Sequence, residues 1–237
     1  MNRETKYFFL NLPLYILNKV YDQKVHCIQI GANDGQIADP LYPFLSQNKW
    51  SGVLIEPNPL YFKRVQALHA DRDDIITLNV GASDSDGEMT LHYLAEEHEA
   101  LYRENARGCA SFDRERMVEA LLKERPEAED NVAEFTVALR PLKDILAEQK
   151  ITRTDALVID TEGHELSVLA GADLASLRPK VANVENNTHE NKRQIVKVFK
   201  DLGYNCFSHM SELVVFSPEM PELSMADVFE AAEISRK

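Results

Sequence analysis

Four things are scarce in this chain, and each scarcity narrows what it can be. Of 237 residues only three are cysteine (Cys27, Cys109 and Cys206), and no Cys-x-x-Cys pair occurs. That excludes a disulfide framework and a cysteine-built zinc site, and it fits a reducing compartment, so a cytoplasmic location is expected. Basic runs are missing. Nothing exceeds Lys192-Arg193, and 26 Lys and Arg stand against 39 Asp and Glu, a formal charge of −13. Such a surface repels phosphate backbones, so nucleic acid is not an expected partner. Long apolar runs are missing too. The most apolar stretch, from Tyr7 to Tyr21, holds Asn11, Pro13, Asn18 and Lys19, short of the about 20 apolar residues that a membrane-spanning helix needs. Tyr21-Asp-Gln-Lys24 follows where a secretory leader would carry a small-residue cleavage site. Residues 1–24 therefore read as an amphipathic helical extension docked on the domain that follows. A contact between copies in a homo-oligomer and a membrane-surface patch are the alternatives. Lastly, there are nine glycines and no Gly-x-Gly-x-x-Gly, the fingerprint of a pyrophosphate-binding turn.

What is present is an alternation. Strand-like apolar runs at 25–30, 52–55, 75–80, 156–159 and 181–184 are separated by helix-like runs near 41–47, 60–70, 142–149, 165–170 and 190–202. This rhythm predicts an α/β domain over 25–237, with a mostly parallel sheet and helices on both faces. Gly203 ends the last helix as a C-terminal cap. Runs at 205–208 and 213–216 predict a closing antiparallel hairpin that turns around Met210-Ser-Glu212. Residues 89–94 read as an extra extended piece and 135–139 as a short strand. Between them, 95–134 breaks the rhythm as a polar, acidic insertion. It contains Gly108-Cys-Ala-Ser-Phe112 and a helix at 114–124 stopped by Pro126. Insertions of this length form lids or substrate walls, or remain solvated excursions.

The first two strands carry the chemistry. Strand one opens onto Gly31-Ala-Asn-Asp-Gly35, and strand two, Val53-Leu-Ile, ends on Glu56-Pro57. Glycines let backbone approach a ligand closely. A carboxylate roughly 20 residues or somewhat more beyond such a turn can accept hydrogen bonds from both hydroxyls of a ribose. A charge ending so apolar a strand is costly without partners. The missing third glycine argues against a diphosphate at the helix N-terminus. S-Adenosylmethionine carries no phosphate and tolerates a looser turn, with Asn33 and Asp34 available for its amino-acid end.

Four blocks, in order, carry a family resemblance. They are Ile30-Gly-Ala-Asn-Asp-Gly35; Leu54-Ile-Glu-Pro-Asn-Pro59; Asn79-Val-Gly-Ala-Ser-Asp84 with Asp86-Gly-Glu88; and Ile159-Asp-Thr-Glu-Gly-His-Glu-Leu166 with Leu169-Ala-Gly-Ala172. Over about residues 25–216 the chain resembles the FkbM family of S-adenosylmethionine-dependent methyltransferases. The resemblance implies a class I, Rossmann-like fold of seven strands with a C-terminal antiparallel hairpin. It also implies O-methylation of a hydroxyl on a small molecule or glycan. The family often carries Lys before the aspartate of the last block and Ala three residues into its Glu-Gly turn. Here those positions are Ile159 and His164, so a role for that lysine does not carry over.

Candidate cofactor-binding residues are Gly31, Ala32, Asn33, Asp34, Gly35, Glu56, Pro57, Ala82, Ser83, Asp84 and Asp160. Asp84 has an equal reading as a turn aspartate bonding its own backbone. Asp160, Glu162 and His164 follow the central strand, where ligands gather in open α/β sheets. With Glu185 and His189 after the next strand, they are the candidate catalytic residues. A hydroxyl is a poor nucleophile while protonated, so a general base is expected among them. Their spacing demands no metal; if one is used, Asp160, Glu162, Glu185 and His189 are its donors. Two competing readings remain: a nicotinamide-dependent oxidoreductase, and a non-catalytic cofactor-binding protein of the same fold.

Overall fold

The computed structural model describes residues 3–220 except 48, 187 and 210. In chain order the elements are α1 (Arg3–Val20), β1 (His26–Ile30), α2 (Tyr42–Leu45), β2 (Ser51–Ile55), α3 (Pro59–Leu68), β3 (Ile75–Leu78), β4 (Gly81–Ser83), β5 (Gly87–Leu94), α4 (Arg114–Leu122), β6 (Val132–Pro141), α5 (Leu142–Glu148), β7 (Ala156–Ile159), α6 (Glu165–Ala170), α7 (Leu174–Leu177), β8 (Val181–Glu185), α8 (His189–Asp201), β9 (Asn205–His209) and β10 (Glu212–Phe216). Short 3-10 turns lie between β5 and β6.

Seven strands form one sheet in the order β3-β2-β1-β7-β8-β10-β9. The pairs are parallel from β3 through β8, and β10 runs antiparallel to both its neighbours. The expected sheet and closing hairpin are therefore present. Met210, named in the expected turn, and the stretch 221–237 lie outside the described residues. The central strands are apolar without alternation because both faces are covered. One face packs Ile28, Ile30, Val53, Leu157 and Ile159 against α5, α6 and α8. The other packs Cys27, Leu54, Ala156 and Val158 with Trp50 and with Leu14 and Leu17 of α1. The leading helix is thus docked, and Asn18 accepts a 2.7 Å hydrogen bond from the Trp50 indole. No described helix is long and apolar enough to cross a membrane.

Strand three ends at Leu78, two residues earlier than the run 75–80 suggests. The cause is Asn79, whose side-chain amide donates to the carbonyls of Glu56 and Pro57 at 2.8 and 2.9 Å. The chain then leaves for a second sheet, ordered β4-β6-β5. There β5 and β6 pair in antiparallel register from Gly87↔Leu139 to Leu94↔Val132. The insertion is the tip of this hairpin. Leu94, Tyr102, Ala106, Met117, Leu121 and Ala128 give it a small core of its own. It is a packed arm, not a solvated excursion.

The chain order reverses between β1 and β7, whose neighbours run off in opposite directions. Strand ends diverge there and leave a crevice at their carboxyl edge.

Candidate active site

The crevice starts from one glycine. Gly31 continues the β1 ladder, its N–H reaching the Ile55 carbonyl at 2.9 Å, and then turns with φ +82°. A Cβ there would sit 1.8 Å from the Asp160 carbonyl oxygen. Only glycine lets the ends of β1 and β7 meet at this point.

On one side of Gly31 lies a narrow cavity of about 50 Å³. Glu56 forms its anchor. This side chain is 5% exposed, and its two oxygens accept backbone N–H groups from Asn33 at 2.7 Å and Asn58 at 2.8 Å. Burial pushes its carboxyl up to about 7, against those two hydrogen bonds and with Asp34 adding to the rise. Pro57, Tyr61, Ala82, Leu91 and Phe112 supply the walls. The Asn33 side-chain oxygen is buried without a hydrogen-bond partner among the described residues.

On the other side lies a wider compartment of about 250 Å³, crowded with carboxylates. Asp160 after β7, Glu185 at the end of β8 and Glu212 at the start of β10 share one row of the sheet, since Ile159 pairs with Val184 and Glu185 with Glu212. Glu162 joins from the loop after β7, held at φ +51°, a backbone region that side chains with a Cβ seldom occupy. One oxygen from each of Asp160, Glu162 and Glu185 lies within 4.8 Å of the others. The Asp160 carboxyl is held well above the usual carboxylate range, by its enclosure and by Glu185, Glu162, Glu212 and Glu165 around it. It nonetheless faces the open compartment and is accessible there.

The arm completes both compartments. Arg116 of α4 ion-pairs with Glu162 and reaches Glu185 at 3.5 Å. The Ser111 hydroxyl donates to the Glu162 carbonyl at 2.8 Å. Gly108 faces both cavities. Cys109 lines the carboxylate compartment and also a groove of about 660 Å³ on the arm. Its thiol is pushed up to about 12 by burial and by Glu162, Asp160 and Glu185, so it is not a thiolate near neutrality.

Of the residues singled out in the sequence, Gly31, Ala32, Asn33, Glu56, Pro57, Ala82, Asp160, Glu162, His164 and Glu185 line the two cavities. Four others are engaged elsewhere. Asp34 accepts the N–H groups of Gln36 and Ile37 at 3.0 and 2.9 Å through one oxygen, while the other lies 3.9 Å from Arg107 in the wall of the Glu56 cavity. Gly35 packs onto Val65 and Leu68 of α3. Asp84 accepts from Ser83 and Ser85, in keeping with its reading as a turn aspartate. His189 is exposed at the first turn of α8. Ser83 is 3.0 Å from the His164 imidazole, and Phe112 packs on that ring edge-on. Burial lowers the His164 pKa, so the ring is neutral at physiological pH. Gly171 closes this corner, because a Cβ on it would meet the Ser83 carbonyl at 1.7 Å. The brace of the loop is Glu165, which accepts from the Thr161 and Gly163 N–H groups and the Thr161 hydroxyl.

Sequence reasoning missed Arg116, Gln29, Asp39 and Glu212. Gln29 carried a signal, being a polar residue inside an apolar strand. Arg116 carried none, because only the folded arm brings it to the crevice.

The Methyltransferase FkbM domain matches residues 29–206 of the chain. No curated protein matches it. Among solved structures it is similar to a methyltransferase FkbM from Methylobacillus flagellatus KT, at 14% identity and a TM-score of 0.51. That match covers 82% of this chain and 44% of the other, so this chain spans less than half of its length. A fibrillarin from Aeropyrum pernix with natively bound S-adenosyl-L-methionine matches at 10% identity and a TM-score of 0.45, over 87% of this chain and 76% of its own.

Proposed function

Because the chain belongs to the FkbM methyltransferase domain family, we propose that it is an S-adenosylmethionine-dependent O-methyltransferase whose acceptor is a hydroxyl on a small molecule or glycan. The observation that carries this reading is the buried Glu56 carboxylate. Each of its oxygens is held by one backbone N–H and keeps a second lone pair for a ligand hydroxyl. The neighbouring Asn33 oxygen is a further buried acceptor suited to an ammonium or hydroxyl donor. These groups fit an adenosine sugar and the cationic end of an amino acid, in a turn that lacks a diphosphate cradle. When bound, S-adenosylmethionine supplies a methyl group on a sulfonium that departs as a neutral thioether.

The chain's residues then have three tasks. Glu56, Asn33 and Gly31 hold the nucleoside. Pro57, Ala82 and Phe112 give it apolar walls. Asp160, Glu162 and Glu185 face the acceptor from the wider compartment. The arm's groove meets that compartment at Cys109 and offers the acceptor a course. The Asp160 carboxyl, which takes up a proton more readily than an ordinary one, is suited to receive the acceptor's proton. With the segment 107–112 packed over it, the Glu56 cavity is smaller than the roughly 300–1,000 Å³ of ordinary ligand clefts. Entry requires that segment to lift.

Calorimetry with S-adenosylhomocysteine and with NAD tests the reading. One-site binding of the first and none of the second is expected. Binding of NAD alone restores the oxidoreductase reading. Binding of the thioether with no turnover on any hydroxylated acceptor favours a non-catalytic role.

A further inference from the structure

We propose that the carboxylate compartment is a divalent-cation site, with Asp160, Glu162 and Glu185 as protein ligands and Gln29 as a nearby outer acceptor. The binding of the ion stands apart from the methyl-donor assignment; its role toward a hydroxyl acceptor rests on it.

Geometry comes first. The three carboxylate oxygens lie within 4.8 Å of one another. Opposite ligands on one hard ion are separated by about twice its metal–oxygen distance, roughly 4.2 Å for magnesium and 4.8 Å for calcium. Only one of the three pairs can be opposite; the others must be neighbours on the ion, roughly 3.0 Å apart for magnesium and 3.4 Å for calcium, so the carboxylates draw together as it binds. Charge points the same way. Arg116 balances one of three carboxylates, and Glu212 adds a fourth beside Glu185. Four carboxylates crowded into one compartment favour a cation there.

The independent observation is Gln29. It lies one layer below Asp160 on the same face of the sheet, because it pairs with Val158. It lines the same compartment and is 3% exposed. Its Oε1 is buried with no hydrogen-bond partner among the described residues, as is Oδ2 of Asp39 in the same compartment. A buried acceptor left without a donor is costly. A water of the ion's coordination shell would supply that donor. Magnesium in particular keeps several of its waters.

Arg116 stands where the ion competes. Its guanidinium holds Glu162 and Glu185 together, and it must swing aside for both to ligate. A bound ion would take one acceptor oxygen as a further ligand and lower the pKa of that hydroxyl. With the ion bound, Asp160 serves as a ligand in place of the proton acceptor it would be without one, so the proton leaves to solvent through the open compartment and the oxygen keeps the electron pair.

Manganese(II) is the probe, followed by electron paramagnetic resonance and calorimetry on the full chain, with S-adenosylhomocysteine affinity measured in parallel. One saturable equivalent is expected. Glu185→Gln and Asp160→Asn should each weaken it at least tenfold, and Glu185→Gln, which lines the carboxylate compartment and not the Glu56 cavity, should change the thioether affinity less than threefold. Arg116→Gln should tighten manganese binding. The proposal is overturned by the absence of one-equivalent binding to the unaltered chain. It is also overturned if binding survives both carboxylate substitutions, or if an organic ammonium saturates the compartment while manganese does not. Manganese binding without thioether binding would instead remove the methyl-donor reading and leave the cation site standing.

Discussion

Glu56 and Asp160 follow β2 and β7, the two strands that flank β1, and both carboxyls are pushed upward, yet for different reasons. Glu56 is buried among apolar walls and held by two backbone N–H groups. Asp160 is enclosed among other carboxylates. In the proposed reading, Glu56 accepts from neutral donors. Asp160 belongs to a crowd of negative charge prepared for a cation or a proton. The same direction of titration therefore marks two compartments with different chemistry, and their partners, not the shift, tell them apart.

The largest effect is expected where the two regions touch. Gly31→Ala forces a Cβ to within 1.8 Å of the Asp160 carbonyl at a positive φ, so β1 and β7 must separate. A loss of about 3 kcal/mol or more is expected, a fall of about 10 °C in Tm for a chain of this size. A thermal melt unchanged to within a degree or two would mean that the ends of β1 and β7 are not locked together.

Next, Glu56→Ala should weaken S-adenosylhomocysteine binding by about 2 kcal/mol, or roughly thirtyfold. Glu185→Gln, at a residue that lines the wider compartment and not the Glu56 cavity, should barely move it. Equal losses for the two would mean that the adjoining cavities, which share Gly31, Asn33, Gly108, Asp160 and Glu162, act as one site.

The difference also explains what was legible in the chain. The Glu56 side is assembled from short-range neighbours: Asn58 is two residues away, and Asn33 lies in the turn one strand back. A strand, a glycine turn and a carboxylate are enough to find it. The parallel sheet and the closing hairpin were legible for the same reason, since apolar runs and Gly203 mark them locally. The Asp160 side draws on β8, β10 and the arm. Glu212 arrives through hairpin register and Arg116 through a helix whose placement no local pattern fixes. Asp34 and Asp84 are ambiguous in sequence because an aspartate in a turn serves local donors as readily as a ligand.

Proton linkage gives a smaller effect with a definite sign. Glu56 moves from an ordinary 4.5 to about 7 in the native chain. The folded state therefore holds a proton that the unfolded state has released. That contribution to stability is fully present below pH 4.5 and is lost as pH rises to about 7. Ligand hydroxyls favour the ionised form, so binding of S-adenosylhomocysteine should tighten by about tenfold between pH 6 and pH 8. In Glu56→Gln that dependence should flatten. A dependence that persists in Glu56→Gln but vanishes in Asp160→Asn would transfer it to the other compartment.

The smallest expected effect tests whether the arm serves one compartment or both. The Ser111 hydroxyl donates to the Glu162 carbonyl at 2.8 Å and accepts the Asp113 N–H at 3.1 Å. Ser111→Ala removes both and costs about 1 kcal/mol. The backbone pairing of Ser111 with His92 stays, so the arm keeps its place and only its grip on Glu162 is relaxed. Glu162 is the loop residue held at positive φ, and it lines the wider compartment proposed for the acceptor. The substitution should therefore raise KM for the acceptor a few-fold and leave S-adenosylhomocysteine affinity within twofold. Should the thioether affinity fall as much as the acceptor's, the hydroxyl would be bracing the Glu56 cavity through residues 107–112, and the arm would be a common lid.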